Sequence, residues 1–224
     1  SKENKRDPEF NILSRYWIKE SDFEEHNSNI EWSEDWILAL RRYIRTTTDA
    51  RPAMSTLAPY EPFGDSVILT TFDTDNPRKD AIVFNTIYNS FIFDFSLQQS
   101  TSSAAISFYI LKQLPMPSPN KLRGQELTIE GEKVDLLEFL VEQGLYLNWT
   151  SERLNALNEH FDFEGPVVWD ESERRNRKAM IDAIVAKLYE LDRDEFKFVI
   201  ESFDILKRQE IEQFGTFDIM NMCL

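Results

Sequence analysis

Cysteine is almost absent from this sequence: Cys223, next to the last residue, is the only one. A single thiol closes no internal disulfide, so the fold is expected to rest on packing and the compartment to be a reducing cytoplasm. Histidine is nearly as rare, and His26 and His160 stand too far apart to suggest a metal-ligand cluster. Six glycines leave no Gly-rich phosphate cradle, and the Walker, nucleophile-elbow, HExxH and CxxC spacings are all missing. No charged n-region leads into an apolar h-region, and Asn, Ser or Thr interrupts the longest apolar stretches every few residues. Secretion and membrane spanning are therefore not expected. Basic charge is also in deficit, with 25 Lys and Arg against 40 Asp and Glu and a net charge of −15. That balance opposes sequence-independent affinity for phosphate backbones.

What is present is a folding composition. In 224 residues, 42% are hydrophobic and 13% aromatic, enough for one sizeable core or two small ones. The acid is uneven. Residues 1–119 hold 12 Lys and Arg against 17 Asp and Glu, whereas residues 120–224 hold 13 against 23, so the second half carries −10 of the total.

The pattern along the chain predicts an α+β fold, with a mixed sheet-and-helix domain over 9–119 followed by a mainly helical subdomain over 120–224. Residues 1–8 read as a disordered lead-in. FNILSRYWI suits a strand, and Ser33 is placed to N-cap a helix through WILALRRYIR. SVILTTF (66–72) and DAIVF (80–84) predict a hairpin across an Asp-, Asn- and Pro-rich turn. Phe84, Ile87, Tyr88, Phe91, Ile92 and Phe95 fall at helical spacing and predict one helix over 84–97. The polar QQSTSS loop follows, then a strand through ISFYILKQL that ends at PMPSP. Further on, VDLLEFLVEQG ends at Gly144 as a C-cap, and TSERLNALNEHF begins another helix at Thr150 or Ser151. Met180, Ile181, Ile184, Val185, Leu188 and Leu191 form a helical stripe, and Asp192 with Glu195 makes a capping box.

No catalytic constellation emerges. Asp73, Asp75 and Asp80 cluster around an Asn-Pro turn, where acids are common without a metal. Arg41, Arg42, Arg45 and Arg51 crowd one stretch and are candidates for phosphate contact or for pairing with Asp49. Arg174, Arg175, Arg177 and Lys178 are the densest basic run; beside Glu171 and Glu173 they read as a solvated helix face or a docking surface.

The order of segments resembles a known region. RYWI, then WILALRRYIR with DARPAMSTLAP, then FNTIYNSFIFDFSLQQSTSSAAISFYILKQLPMPSP, LYLNWTSERL, and EGPVVWDESERRNRKAMIDAIVAKLYELDRDEFKFVIESFDILKRQEIEQFG look like consecutive blocks. They are similar to the C-terminal target-recognition region of type IIG restriction-modification enzymes and of related adenine-N6 DNA methylases in the BREX and DISARM defence systems. The likeness covers about residues 9 to 217. The block from YNSFIFDF to LKQLPMPSP is shared with type I specificity subunits, whereas the WDESERR block is more distinctive of the methylases.

The resemblance implies a chain that binds double-stranded DNA and selects the methylated sequence for a larger adenine methyltransferase in phage defence. It implies no catalytic centre here; S-adenosylmethionine and the Asn/Asp-Pro-Pro-Tyr motif belong to a methyltransferase domain or subunit that would be the partner. Asn76-Pro77, followed by Arg78 and Lys79, does not match that motif. The implied DNA-contacting residues are Arg41, Arg45, Arg51, Gln98, Gln99, Ser100, Thr101, Ser102, Ser103 and Lys112, with Arg51 matching a family arginine. Gln98 and Ser100 stand where the family has Arg and Lys, and Ser102 and Ser103 replace a Gly pair. Base-edge reading by Gln and Ser is retained while the ionic share falls. Two alternatives compete: an acidic protein-interaction module that docks on a partner subunit or mimics DNA, and a stand-alone nuclease, which lacks any catalytic set.

Overall fold

The computed structural model describes residues 1, 3–45, 47–101, 103–129, 131–158 and 161–224, and its fold is α+β. After a 3₁₀ turn at Asn4–Arg6 and an exposed helix α1 (Glu20–Asn27), three strands follow, β1 (Trp36–Arg41), β2 (Ser55–Pro59) and β3 (Val67–Thr70). Helices α2 (Pro77–Tyr88), α3 (Phe91–Ser100), α4 (Phe108–Leu111) and α5 (Pro119–Leu122) come next, then a small hairpin of β4 (Glu126–Ile129) and β5 (Glu132–Asp135). The rest is helical: α6 (Leu136–Asn148), a 3₁₀ segment Glu152–Asn158, α7 (Glu171–Leu188), α8 (Arg193–Glu201), α9 (Asp204–Phe214) and α10 (Asp218–Cys223). No helix among the described residues is long and apolar enough to cross a membrane.

The three-stranded sheet is antiparallel in the order β2-β1-β3, with Leu38 opposite both Leu57 and Thr70. WILALR is thus the central strand and not the expected helix. All of Trp36 to Leu40 is buried, and a strand covered on both faces reads as an unbroken apolar run that periodicity cannot tell from a helix. The opposite correction applies to DAIVF, which lies inside α2. Asn76 caps that helix by accepting from the Lys79 N–H at 3.3 Å, and Pro77 occupies its first turn, where a missing N–H costs nothing. Nearly every α2 side chain from Asp80 to Tyr88 is buried, which erased the amphipathic signal.

The single helix expected over 84–97 is broken at Asn89, and α3 restarts with Ser90 capping the Phe93 N–H at 3.2 Å. ISFYILKQL forms the short helix α4 in place of a strand. FNILSRYWI has no regular structure and is exposed, with Tyr16 79% and Trp17 75% accessible. The lead-in is not featureless: Lys5 lies over the Trp169 ring and the Glu152 N–H donates to the Pro8 carbonyl. The helix expected from Thr150 or Ser151 is the 3₁₀ segment.

Gly144 is interior to α6 and caps nothing. A Cβ there would lie 2.5 Å from Ile82 Cγ2 and 2.6 Å from Thr86 Oγ1, so the glycine lets α6 close onto α2. The capping box at Asp192 and Glu195 forms as expected. The buried apolar side chains make one cluster running from Trp36 to Cys223, so residues 9–119 and 120–224 share a core. α2 is its axis, packed on α6 and β2 and touching α3 and α7.

Candidate nucleic-acid interface

The chain turns at the end of β1, and the loop after α3 docks on that turn. The Ile44 N–H donates to the Ala104 carbonyl at 2.9 Å, the Ile106 N–H to the Arg42 carbonyl at 2.8 Å, and Tyr43 pairs with Ala105 as an isolated antiparallel bridge. The central strand is therefore continued by the loop. Within it, the Thr101 Oγ1 accepts from the Ser103 N–H at 3.0 Å and the Ser103 Oγ from the Ala105 N–H at 3.2 Å, local turns that fix the backbone without a distant partner. Ser103 remains exposed, as do Gln99 and Ser100 in the last turn of α3. Ser102 lies outside the described residues, as does His160.

The arginines expected at this surface divide by partner. Arg41 pairs with Asp49 at 2.8 Å, and Arg42 pairs with Asp65. Asp65 also accepts the Tyr43 hydroxyl at 2.5 Å, a hydrogen bond that raises the phenol's pKa. Arg45 is exposed, and among the described residues its guanidinium has no ion pair; Lys112, at the C-cap of α4, is likewise exposed and unpaired. Arg41, Tyr43 and Arg45 line a concavity of about 540 Å³ against the sheet, together with Met54 and Phe63.

Arg51 is turned inward. Its Nε donates to Asp94 Oδ2 at 2.9 Å, its Nη2 to the Asn89 carbonyl at 2.7 Å, and its guanidinium lies 4.0 Å from the Phe91 ring centre. Asp94, fully buried, also accepts from the Ala53 N–H at 3.1 Å and from Gln98 Nε2 at 3.2 Å. Burial raises the Asp94 pKa, and Arg51 with these hydrogen bonds opposes that rise. Arg51 and Gln98 thus anchor α3 to the strand entry and hold the loop's base in place.

Three exposed aromatics were not among the expected contacts. Tyr43 is 45% accessible beside the loop, and Phe108 and Tyr109, just beyond it, are 65% and 77% accessible. The signal was available in RRYIR and ISFYIL, but each aromatic was absorbed into a helix or strand period. The carboxylates Asp73, Asp75 and Asp80 form no site: among the described residues no three metal-ligating side chains converge, and Asp80 is buried 3.9 Å from Arg123.

In the basic run of α7, Lys178 is exposed, but the three arginines are drawn into the fold and do not make a solvated face. Arg175 forks onto Glu210 at 2.6 and 3.0 Å and reaches Asp218 at 3.0 Å; Arg177 reaches Glu173 at 2.7 Å and Gln143 at 2.7 Å. Arg174 is 6% exposed and stacks on Trp169. These arginines tie α7 to α6, α9 and α10. Compared with family models, curated proteins and solved structures, the chain matches none of them.

Proposed function

We propose that this chain is the DNA sequence-recognition region of a larger adenine-N6 DNA methyltransferase or restriction-modification enzyme, acting in the cytoplasm and carrying no catalytic centre of its own. The observation that supports this best is the docking of the loop, through Ala104 to Ile106, on the end of the central strand beside Arg45. A base reader must offer polar groups at fixed positions, and loops held by a rigid sheet do so. Gln99, Ser100 and Ser103 supply hydrogen-bonding groups suited to base edges, Arg45 and Lys112 supply unpaired charge for phosphates, and Tyr43, Phe108 and Tyr109 supply apolar contact. S-adenosylmethionine would be bound by the methyltransferase domain or subunit. Selection of duplexes from a randomised library tests the reading: one enriched sequence is expected, and recovery of no preferred sequence contradicts it.

A second reading, a protein-interaction module, is favoured by one observation. Ile12, Leu13, Tyr16 and Trp17 are each at least 75% exposed in one irregular segment, which is unusual for large apolar side chains on a solvated surface. The two readings separate in the same selection, because a docking module or DNA mimic enriches no duplex.

A further inference from the structure

Away from the loop surface, β2, α2, the end of α6 and α7 from Arg174 to Asp182 line an open cavity of about 380 Å³. Three cations line it, Arg51, Arg174 and Lys178. Arg51 is neutralised by Asp94. Arg174 is not. Its Nη2 donates to the Leu147 carbonyl at 2.8 Å and its plane lies 3.7 Å from the Trp169 ring centre, while its buried Nε and Nη1 have no hydrogen-bond partner among the described residues. Lys178, at the cavity rim, forms no ion pair among the described residues. A buried guanidinium with two idle nitrogens is costly, because it has surrendered water without a replacement acceptor.

The walls are set in advance. Asn148 Nδ2 donates to Asn85 Oδ1 at 2.7 Å, Asn85 Nδ2 to Ser55 Oγ at 2.9 Å, and Asn89 Nδ2 to the Ser55 carbonyl at 3.0 Å, so three side-chain amides lock α6, α2 and β2 together at one side of the cavity. Trp169 fixes the Arg174 plane at another. Lys178 is exposed at the rim yet crowded by the cavity mouth, and that desolvation first, then Arg174 and Arg51, depresses its pKa, with Glu171 and Asp182 opposing. Asp182 spends an oxygen on the Phe91 N–H at 2.6 Å and forms no ion pair within 4.0 Å among the described residues.

We propose that this cavity is a binding site for a small phosphorylated molecule whose phosphate is held by Arg174 and Lys178. Three cations and one carboxylate, Asp182, line the cavity, so it favours an anion, and a phosphate monoester, close to −2 near neutral pH, offers Arg174 and Lys178 more charge and more acceptor oxygens than a carboxylate. The volume suits a small ligand more than a bare ion. Trp169 keeps the guanidinium oriented, which lowers the ordering cost of binding. The site stands on residues separate from the loop surface and does not rest on the DNA reading.

The test is thermal unfolding of the full chain with inorganic phosphate and with a panel of nucleoside 5′-monophosphates and glycerol 3-phosphate, against chloride at matched ionic strength. At hundredfold excess over Kd, the best phosphorylated ligand is expected to raise the midpoint by about 5–10 °C. Lys178→Gln, at the exposed rim and therefore expected to fold, should weaken binding about tenfold or more; Arg174→Lys should weaken it as well, and in the wild type the ligand should shift the Arg174 side-chain N–H resonance. A midpoint that responds to phosphate no more than to chloride overturns the proposal, and so does a Lys178→Gln response equal to that of the wild type. A duplex that binds the loop surface should leave phosphate affinity unchanged. Displacement of phosphate by such a duplex would make the cavity part of a DNA surface and overturn the small-molecule assignment.

Discussion

Removing the Arg51 guanidinium would strand the Asp94 carboxylate at zero accessibility, because the cation is its only ionic partner within 4.0 Å among the described residues. Breaking a buried pair from one side typically costs about 3–5 kcal/mol. Arg51→Ala should therefore lose roughly that much stability in urea unfolding, and a loss under about 1 kcal/mol would show that the pair does not anchor α3. The family likeness had marked Arg51 for DNA, and the fold explains its presence differently, as the residue that positions the loop's supporting helix. Sequence could not decide this, since the pairing joins residues 43 positions apart.

Asp182 gives a second residue-scale test. Burial lifts its pKa from 3.8 to about 6, with Arg51, the Phe91 N–H and Lys178 pulling it down and Asp94 pushing it up. A raised acid favours the protonated fold, so its contribution is fully present below about pH 4 and is lost as pH rises through about 6. Asp182→Asn keeps an acceptor for the Phe91 N–H and removes the charge. Relative to wild type, the variant should gain roughly 1–3 kcal/mol between pH 4 and pH 7, at about 1.4 kcal/mol per pKa unit. A stability difference that is flat over that range would contradict the assignment.

At the scale of elements, the contact between α6 and α2 depends on Gly144. Replacing it by Ala gains about 1 kcal/mol of helix propensity. The new Cβ would press on Ile82 Cγ2 and on Thr86 Oγ1, whose hydroxyl already donates to the Ile82 carbonyl at 2.8 Å. Overpacking of this kind costs about 1–3 kcal/mol, and with two contacts near 2.5 Å we expect the clash to win. Gly144→Ala should lower the unfolding midpoint, and a raised midpoint would mean that α6 shifts freely. Gly144 had looked like a C-cap because a glycine after an apolar run has the same sequence appearance whether it ends a helix or admits a neighbour.

The same ambiguity explains the other element-level differences. Trp36 to Leu40 and Asp80 to Tyr88 are the most buried strand and helix of the fold; the strand stretch has no polar position from which a period is read, and in the helix even Asp80, Asn85 and Thr86 are buried, so polarity there does not mark a wet face. Where one face stays wet, as in α8 with its capping box at Asp192, the sequence was legible. The α+β class survived because a strand and a helix exchanged places without changing the mixture.

At the scale of the molecule, the −15 charge was the strongest objection to DNA, and pairing sharpens it. Arg41, Arg42 and Arg51 are matched by Asp49, Asp65 and Asp94 respectively, which leaves Arg45 and Lys112 as the expected contact cations with no ion pair among the described residues. The loop itself was legible as a polar break, and its docking onto the β1 turn was not, because that contact requires β1 to be a strand. Recognition with two free cations predicts a small ionic share and a large share from base-edge contacts.

The salt dependence of binding to a selected duplex tests this account most directly. Each phosphate contact contributes a slope of about −0.9 in log affinity against log salt, so two contacts predict a slope of about −2 for the wild type. The Arg45→Ala, Lys112→Ala double variant should approach zero slope while keeping the same preferred sequence. A steep slope that the double variant leaves unchanged, or an absence of sequence-dependent affinity at any salt concentration, would contradict the assignment of this loop as the DNA-reading surface.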